Sequence, residues 1–379
     1  MRKKNIYKDL HLYISNRASY SVGDNGLVRI VFGLIILFLP SNVISQFRAP
    51  THIVNIPVAY SAGVPLSFGA NYSISATDTM EDCNPTDWNL YLEVEALNRL
   101  TLGMSVFTQR LTVLEFKGRL NNETPRMPVF AIGSKGIHPD KWLSPVGTGR
   151  GIGWEDDQTY GGKRNTEQYS FFLVATKDLG PYGKYTVGIG RGEFVGYGPR
   201  SHLFNSDILS AGHNNNAIGL IWGAEILLFS PVIGVFEFDG RNFNIGTKIM
   251  THMFQIGIGA IKLEHRLGGC EALYPRFGVG LTINYSLIKR WLRQPTGELN
   301  VVVTDRNSGS PKRAVISFPG ACLPPVQTNR SNGSCNVILD PGTYWVRAGI
   351  PGFFWADKEV HISPDGTTVV YFEVQPILR

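Results

Sequence analysis

The sequence predicts an all-β protein: an antiparallel transmembrane β-barrel of about twelve strands, followed by a C-terminal β-sandwich. Three observations predict it. Glycine, phenylalanine and tyrosine number 42, 21 and 15 among 379 residues, a balance that favours turns and strands over helices. Between Leu66 and Leu287, short stretches alternate apolar with polar or small residues at period two. The connections between these stretches are long and short in turn, as in a closed up-and-down barrel with tight turns at one rim and long loops at the other. The hydrophobic fraction of 43% and a mean hydropathy of -0.04 fit this too, because such a barrel turns only every second residue to lipid.

Taken in order, the chain opens with a basic stretch. Residues 1–45 hold six basic residues (Arg2, Lys3, Lys4, Lys8, Arg17, Arg29) and two acidic ones (Asp9, Asp24), and so carry +4 of the net +6. They run into Ile30-Val-Phe-Gly-Leu-Ile-Ile-Leu-Phe-Leu39, which ends at Pro40 and is followed by Val43-Ile44-Ser45. A positive leader, an apolar run too short to span a bilayer and a small residue at the cut predict a secretory signal peptide over 1–45. Export in turn permits disulfides.

Residues 46–64, with Pro50 and Pro57 and with Pro65 next, are too proline-rich for a central strand and read as a lead-in. Twelve strands are then expected over Leu66–Ile74, Leu90–Ala96, Leu100–Phe107, Thr112–Leu120, Pro128–Gly133, Tyr169–Lys177, Lys184–Gly192, Ile218–Phe229, Val232–Phe238, Asn242–Thr251, Phe254–His265 and Arg276–Leu287. Alternation is clearest in Ser67-Phe-Gly-Ala-Asn-Tyr-Ser-Ile74 and Val279-Gly-Leu-Thr-Ile-Asn-Tyr285. A soluble sandwich alternates in the same way, so periodicity alone does not separate the two architectures. Loop length does: with a periplasmic N-terminus the outward connections near 75–89, 134–168, 193–217 and 266–275 are long and only those at 108–111 and 239–241 are short, while the inward ones at 97–99, 121–127, 178–183, 230–231 and 252–253 are all short.

The four cysteines, Cys83, Cys270, Cys322 and Cys335, are the disulfide candidates. Cys83 falls in the first outer loop and Cys270 in the last, which closure makes neighbours, so a clasp across the seam is expected. Cys322 and Cys335 lie close together in the C-terminal domain and read as a local staple worth about 2 to 3 kcal/mol.

After Trp291-Leu-Arg-Gln-Pro295 the character changes, and domains are expected at 46–290 (barrel) and 296–379 (sandwich). Strands are predicted over Glu298–Thr304, Ala314–Phe318, Cys335–Leu339, Thr343–Ala348, Lys358–Ile362 and Thr367–Val374. Asn307-Ser-Gly309, Pro341-Gly342 and Pro364-Asp-Gly366 supply turns between them. The motifs Val303-x-Asp305, Gly309-x-Pro311, Ala314-x-Ile316, Leu339-x-Pro341-Gly342-x-Tyr344-x-Val346-x-Ala348 and Pro351-Gly352-Phe353 resemble the carboxypeptidase regulatory-like, transthyretin-like family. That resemblance implies a non-catalytic docking or spacer module. Because the chain enters it from the last barrel strand, it is expected in the periplasm.

In the barrel segment the carrying residues are Pro57-Val-Ala-Tyr60, Pro128-x-x-Ala131-x-Gly133, Tyr169-x-Phe171-x-x-Val174-Ala-Thr-Lys177, Val187-Gly-Ile-Gly190 and Glu237-Phe-Asp-Gly240-x-x-Phe243-Asn244-x-Gly246. Over roughly 50–287 they resemble the YjbH-type outer-membrane family linked to exopolysaccharide. The resemblance implies location and pathway more than mechanism.

No catalytic, cofactor-binding or metal-binding residues are assigned. Gly147-Thr-Gly149-Arg-Gly151-Ile-Gly153 is followed by Trp154-Glu-Asp-Asp157, which opens no apolar helix, so the dinucleotide-loop context is missing. Glu155, Asp156 and Asp157 lack calcium-loop spacing, no Gly-x-Ser-x-Gly elbow appears, and Ser201-His202 are adjacent residues, which on one strand or loop point apart. With +4 confined to the leader, no clustered basic footprint for nucleic acid remains. Glu237, Lys248, Lys262 and the Asp239-Gly-Arg241 turn are the strand-borne polar candidates, and inward polar side chains and loops are expected to fill much of a twelve-strand lumen. The expectation is a non-enzymatic outer-membrane protein without a cofactor. Its partners would be membrane lipid and a polysaccharide or a periplasmic export component, with a passive small-solute channel or a surface adhesin as alternatives.

Overall fold

The computed structural model describes residues 51–60, 66–75, 86–97, 99–107, 111–124, 126–137, 170–191, 194, 218–240, 242–251, 254–261, 263, 276–284 and 295–377. These belong to one compact unit, Val43–Arg379. Twelve strands close a barrel: β1 Leu66–Ser75, β2 Thr86–Ala96, β3 Leu100–Phe107, β4 Leu111–Arg119, β5 Val129–Ile137, β6 Ser170–Asp178, β7 Lys184–Gly190, β8 Gly219–Phe229, β9 Val232–Phe238, β10 Phe243–Met250, β11 Phe254–Ile261 and β12 Arg276–Asn284. Each pairs antiparallel with its neighbours in sequence. β1 meets β12 from Ser67 opposite Asn284 to Ser75 opposite Arg276, so the barrel has no free edge.

Period two decides which side chains face where. On β6 Phe171 and Leu173 point out while Ser170, Phe172, Val174 and Thr176 are buried inside. On β3 Leu100, Leu102 and Met104 are exposed and Thr101 is buried. The outer surface is accordingly an apolar band, with a ring cluster of Trp222, Phe236, Phe238 and Phe243 at the long-loop end of β8–β10. Exposed apolar residues outside and buried charges inside are the reverse of a soluble barrel and fit a membrane-spanning one.

The C-terminal domain is a two-sheet sandwich. Its strands are β13 Gly297–Asp305, β14 Val315–Ser317, β15 Val326–Gln327, β16 Ser334–Leu339, β17 Gly342–Gly349, β18 Phe353–Phe354, β19 Ala356–Ile362 and β20 Thr367–Pro376. One sheet runs β16-β13-β20-β18 and the other β15-β14-β17-β19. Leu299, Val301, Val303, Ile316, Val346 and Phe372 form its core, with Tyr344 packed against them. Asp305 shapes the following turn by accepting the amide N–H of Asn307 at 2.8 Å, and Gly309 takes the positive φ of 66° that this turn needs.

The bounds of β3 and β9 match expectation residue for residue, and the other barrel strands shift at their ends by four residues or fewer. The two-residue strands β15 and β18 were not expected, because so short a stretch has no readable alternation. One expectation is corrected: Cys322 and Cys335 are free thiols. Cys335 points into the sandwich core, whereas Cys322 packs into an apolar cluster at the barrel, so the two face different interiors and form no staple. Cys83 and Cys270 lie outside the described residues.

Candidate functional site: a lumen filled by its own N-terminal segment

Residues 51–60, read from sequence as a lead-in, lie inside the barrel. Their backbone folds back on itself: Val58 N donates to Thr51 O at 2.8 Å, Ile53 N donates to Ile56 O at 2.9 Å, and His52 bridges Pro57. The result is a short hairpin finger with its tip at Val54-Asn55. Its apolar side chains Ile53, Val54, Ile56, Val58, Ala59 and Tyr60 are almost wholly buried against Val129, Val174, Ile221 and Ile261 of the wall.

Polar groups from the wall satisfy the finger's backbone, which has too few internal partners of its own. At the tip, Glu237 of β9 accepts three successive amide N–H groups, from Val54 at 2.9 Å, Asn55 at 2.8 Å and Ile56 at 3.1 Å. Consecutive N–H groups aimed at one anion form a nest. Asn244 Nδ2 holds the same carboxylate at 2.7 Å. Lys135 donates to Asn55 O at 3.0 Å, and Asn55 Nδ2 donates to Asp239 at 2.9 Å.

Farther down, Lys117 of β4 donates to two carbonyls, Val58 O and Tyr60 O, each at 2.9 Å. Lys248 of β10 donates to His52 O and pairs with Glu225 at 2.7 Å. Thr51 Oγ1 donates to Glu93 at 2.7 Å, His52 Nε2 lies 2.8 Å from Glu115, and Ala59 N donates to Thr176 Oγ1 at 2.8 Å. Three lysines (Lys117, Lys135, Lys248) and four glutamates (Glu93, Glu115, Glu225, Glu237) of the wall thus sit on inward positions of the strands. Charges there are tolerable because each meets a backbone dipole or an opposite charge.

At the short-turn rim the finger ends on Tyr60, whose hydroxyl donates to Glu123 in the β4–β5 turn. The same carboxylate lies 3.1 Å from Lys177 Nζ and 3.3 Å from Arg347 Nη1 of the sandwich. Burial pushes Glu123 above the usual carboxylate range, although its hydrogen bond from Tyr60 and the nearby Arg347 pull the other way. Arg347 is itself only 1% exposed; it donates to Asp178 O and makes a two-pronged pair with Asp357, Nε to Oδ1 and Nη2 to Oδ2, both at 2.7 Å. Two further bonds tie the domains: Arg119 Nη1 donates to Gly320 O at 3.0 Å, and Lys184 Nζ lies 3.4 Å from Ala321 O.

Of the polar candidates read from sequence, Glu237, Asp239 and Lys248 are in the lumen and two of them grip the finger tip, while Arg241, Lys262, Ser201, His202 and the 147–157 loop lie outside the described residues. Sequence reasoning missed the finger and Glu93, Lys117, Lys135, Glu123 and Arg347. A usable signal existed: a charged residue at an inward position of an alternating strand, such as Lys117 between Phe116 and Gly118, is costly unless the lumen holds a partner for it.

Fold and site together define a class: an outer-membrane type β-barrel whose lumen holds residues 51–60 of its own chain, with a β-sandwich docked at the short-turn rim. No family model matches the chain, and no curated protein does. Among solved structures, the chain is similar to a COG4313 outer membrane channel from Pseudomonas putida F1, at 11% identity over 59% of this chain and 97% of that one, with a TM-score of 0.29.

Proposed function

We propose that this is a non-enzymatic outer-membrane barrel, closed at rest, that serves the export or assembly of envelope polysaccharide and carries its sandwich on the periplasmic side. The observation that carries the closed state is the finger: ten residues with the apolar ones buried, gripped by Glu237, Lys117, Lys135 and Lys248. Sandwich docking at the rim of short turns supports the periplasmic side, because such barrels keep their short turns there. The resemblance of the barrel segment to the exopolysaccharide-linked family supports the pathway.

A solute channel is the second reading, favoured by the charged wall that the finger covers. Single-channel recording in planar lipid separates the two. The closed reading expects no steady conductance from the intact protein and open steps from a variant lacking residues 51–60; steady conductance of the intact protein establishes the passive channel. Loss of secreted polysaccharide on deleting the gene, restored by the intact gene, tests the pathway.

A further inference from the structure

The finger and the sandwich touch the same side chains. Glu123 takes the Tyr60 hydroxyl on one oxygen and faces Arg347 on the other, at 3.3 Å. Lys184 stands 5.5 Å from the centre of the Tyr60 ring and 3.4 Å from the Ala321 carbonyl. Cys322, from the sandwich, is buried in the same apolar cluster as Ile53, Val58 and Tyr60. Three contacts of different kinds (a shared carboxylate, a shared ammonium and a shared apolar cluster) join two parts of the chain that lie more than two hundred residues apart.

We propose that sandwich and finger are one gate: lifting the sandwich from the rim unseats the finger and so opens the barrel. This rests on the reading of the finger as the closure. Removing Arg347 leaves Glu123 and Asp178 buried with fewer cations, and removing Cys322 with its loop exposes the apolar base of the finger to water. Linkage is reciprocal, so a seated finger must also hold the sandwich down by the same factor.

The test records opening probability in planar lipid for the full chain and for Arg347→Ala, Arg347→Lys and Glu123→Gln, each first checked for heat-modifiable gel migration as a sign of a folded barrel. Arg347→Ala is expected to open at least tenfold more often, with Arg347→Lys in between. In the other direction, deleting 51–60 should speed proteolytic release of the sandwich. If Arg347→Ala frees the sandwich to protease while conductance stays at the intact level, the single gate is overturned. If deletion of 51–60 gives no conductance, the finger is not the closure and the underlying reading fails instead.

Discussion

Gly223 of β8 lies directly against Ile53 of the finger: a Cβ at position 223 would stand 2.7 Å from Ile53 Cδ1 and 2.9 Å from both Glu237 Cβ and Phe236 O. The wall is hollowed at this point to accept the finger. Gly223→Val is therefore expected to leave the barrel folded but the finger partly displaced, with open steps in planar lipid more frequent than those of the intact protein. Unchanged closure with the valine in place would show that the wall gives way rather than the finger.

Glu237 satisfies three amide groups at once, and without it each becomes a buried donor lacking a partner, at about 1–3 kcal/mol apiece. Glu237→Ala should accelerate hydrogen exchange at Val54, Asn55 and Ile56 by more than tenfold while the barrel strands stay protected. Glu237→Gln, which keeps a carbonyl oxygen, should fall between.

Cys322 and Cys335 are buried, and burial pushes both thiols up to about 12. At neutral pH neither should react with a maleimide in the native protein, and both should react after denaturation. Peptide mapping without reductant should recover them unlinked.

The Asp305 carboxylate is held below its ordinary value of 3.8 by the Asn307 amide N–H, with Lys312 adding to the effect at 3.1 Å. A depressed folded value means a contribution present above 3.8 and lost as pH falls through the folded value. The sandwich should thus lose stability on acidification below that point, and Asp305→Asn should flatten this limb of the denaturation profile.

In the sandwich core, Leu299 is fully buried. Leu299→Ala should destabilise the domain by about 2–5 kcal/mol in denaturant titrations. The barrel, whose strands close on one another without it, should keep its heat-modifiable migration.

Much of the fold was legible because its signals are local. Alternation at period two marks strands such as Leu100–Phe107, and turn residues such as Ser230-Pro231 and Asn307-Ser-Gly309 mark where strands stop. The site was legible only in fragments. Glu237 and Lys248 stood out as charges on strands, but nothing near them in sequence names their partner. Ile53-Val54-Asn55-Ile56-Pro57 has no period and reads as a loop, which in backbone terms it is.

By itself the sequence determined the all-β class, the count and order of the barrel strands, and the sorting of long and short connections. These depend on neighbours within a few residues. Only the tertiary structure decided that residues 51–60 enter the lumen, that Cys322 and Cys335 stay apart, and that Arg347 reaches a barrel turn. Those outcomes depend on groups from 42 to 224 residues away in the chain, whose meeting is fixed by barrel closure and by the need to give every buried amide and charge a partner.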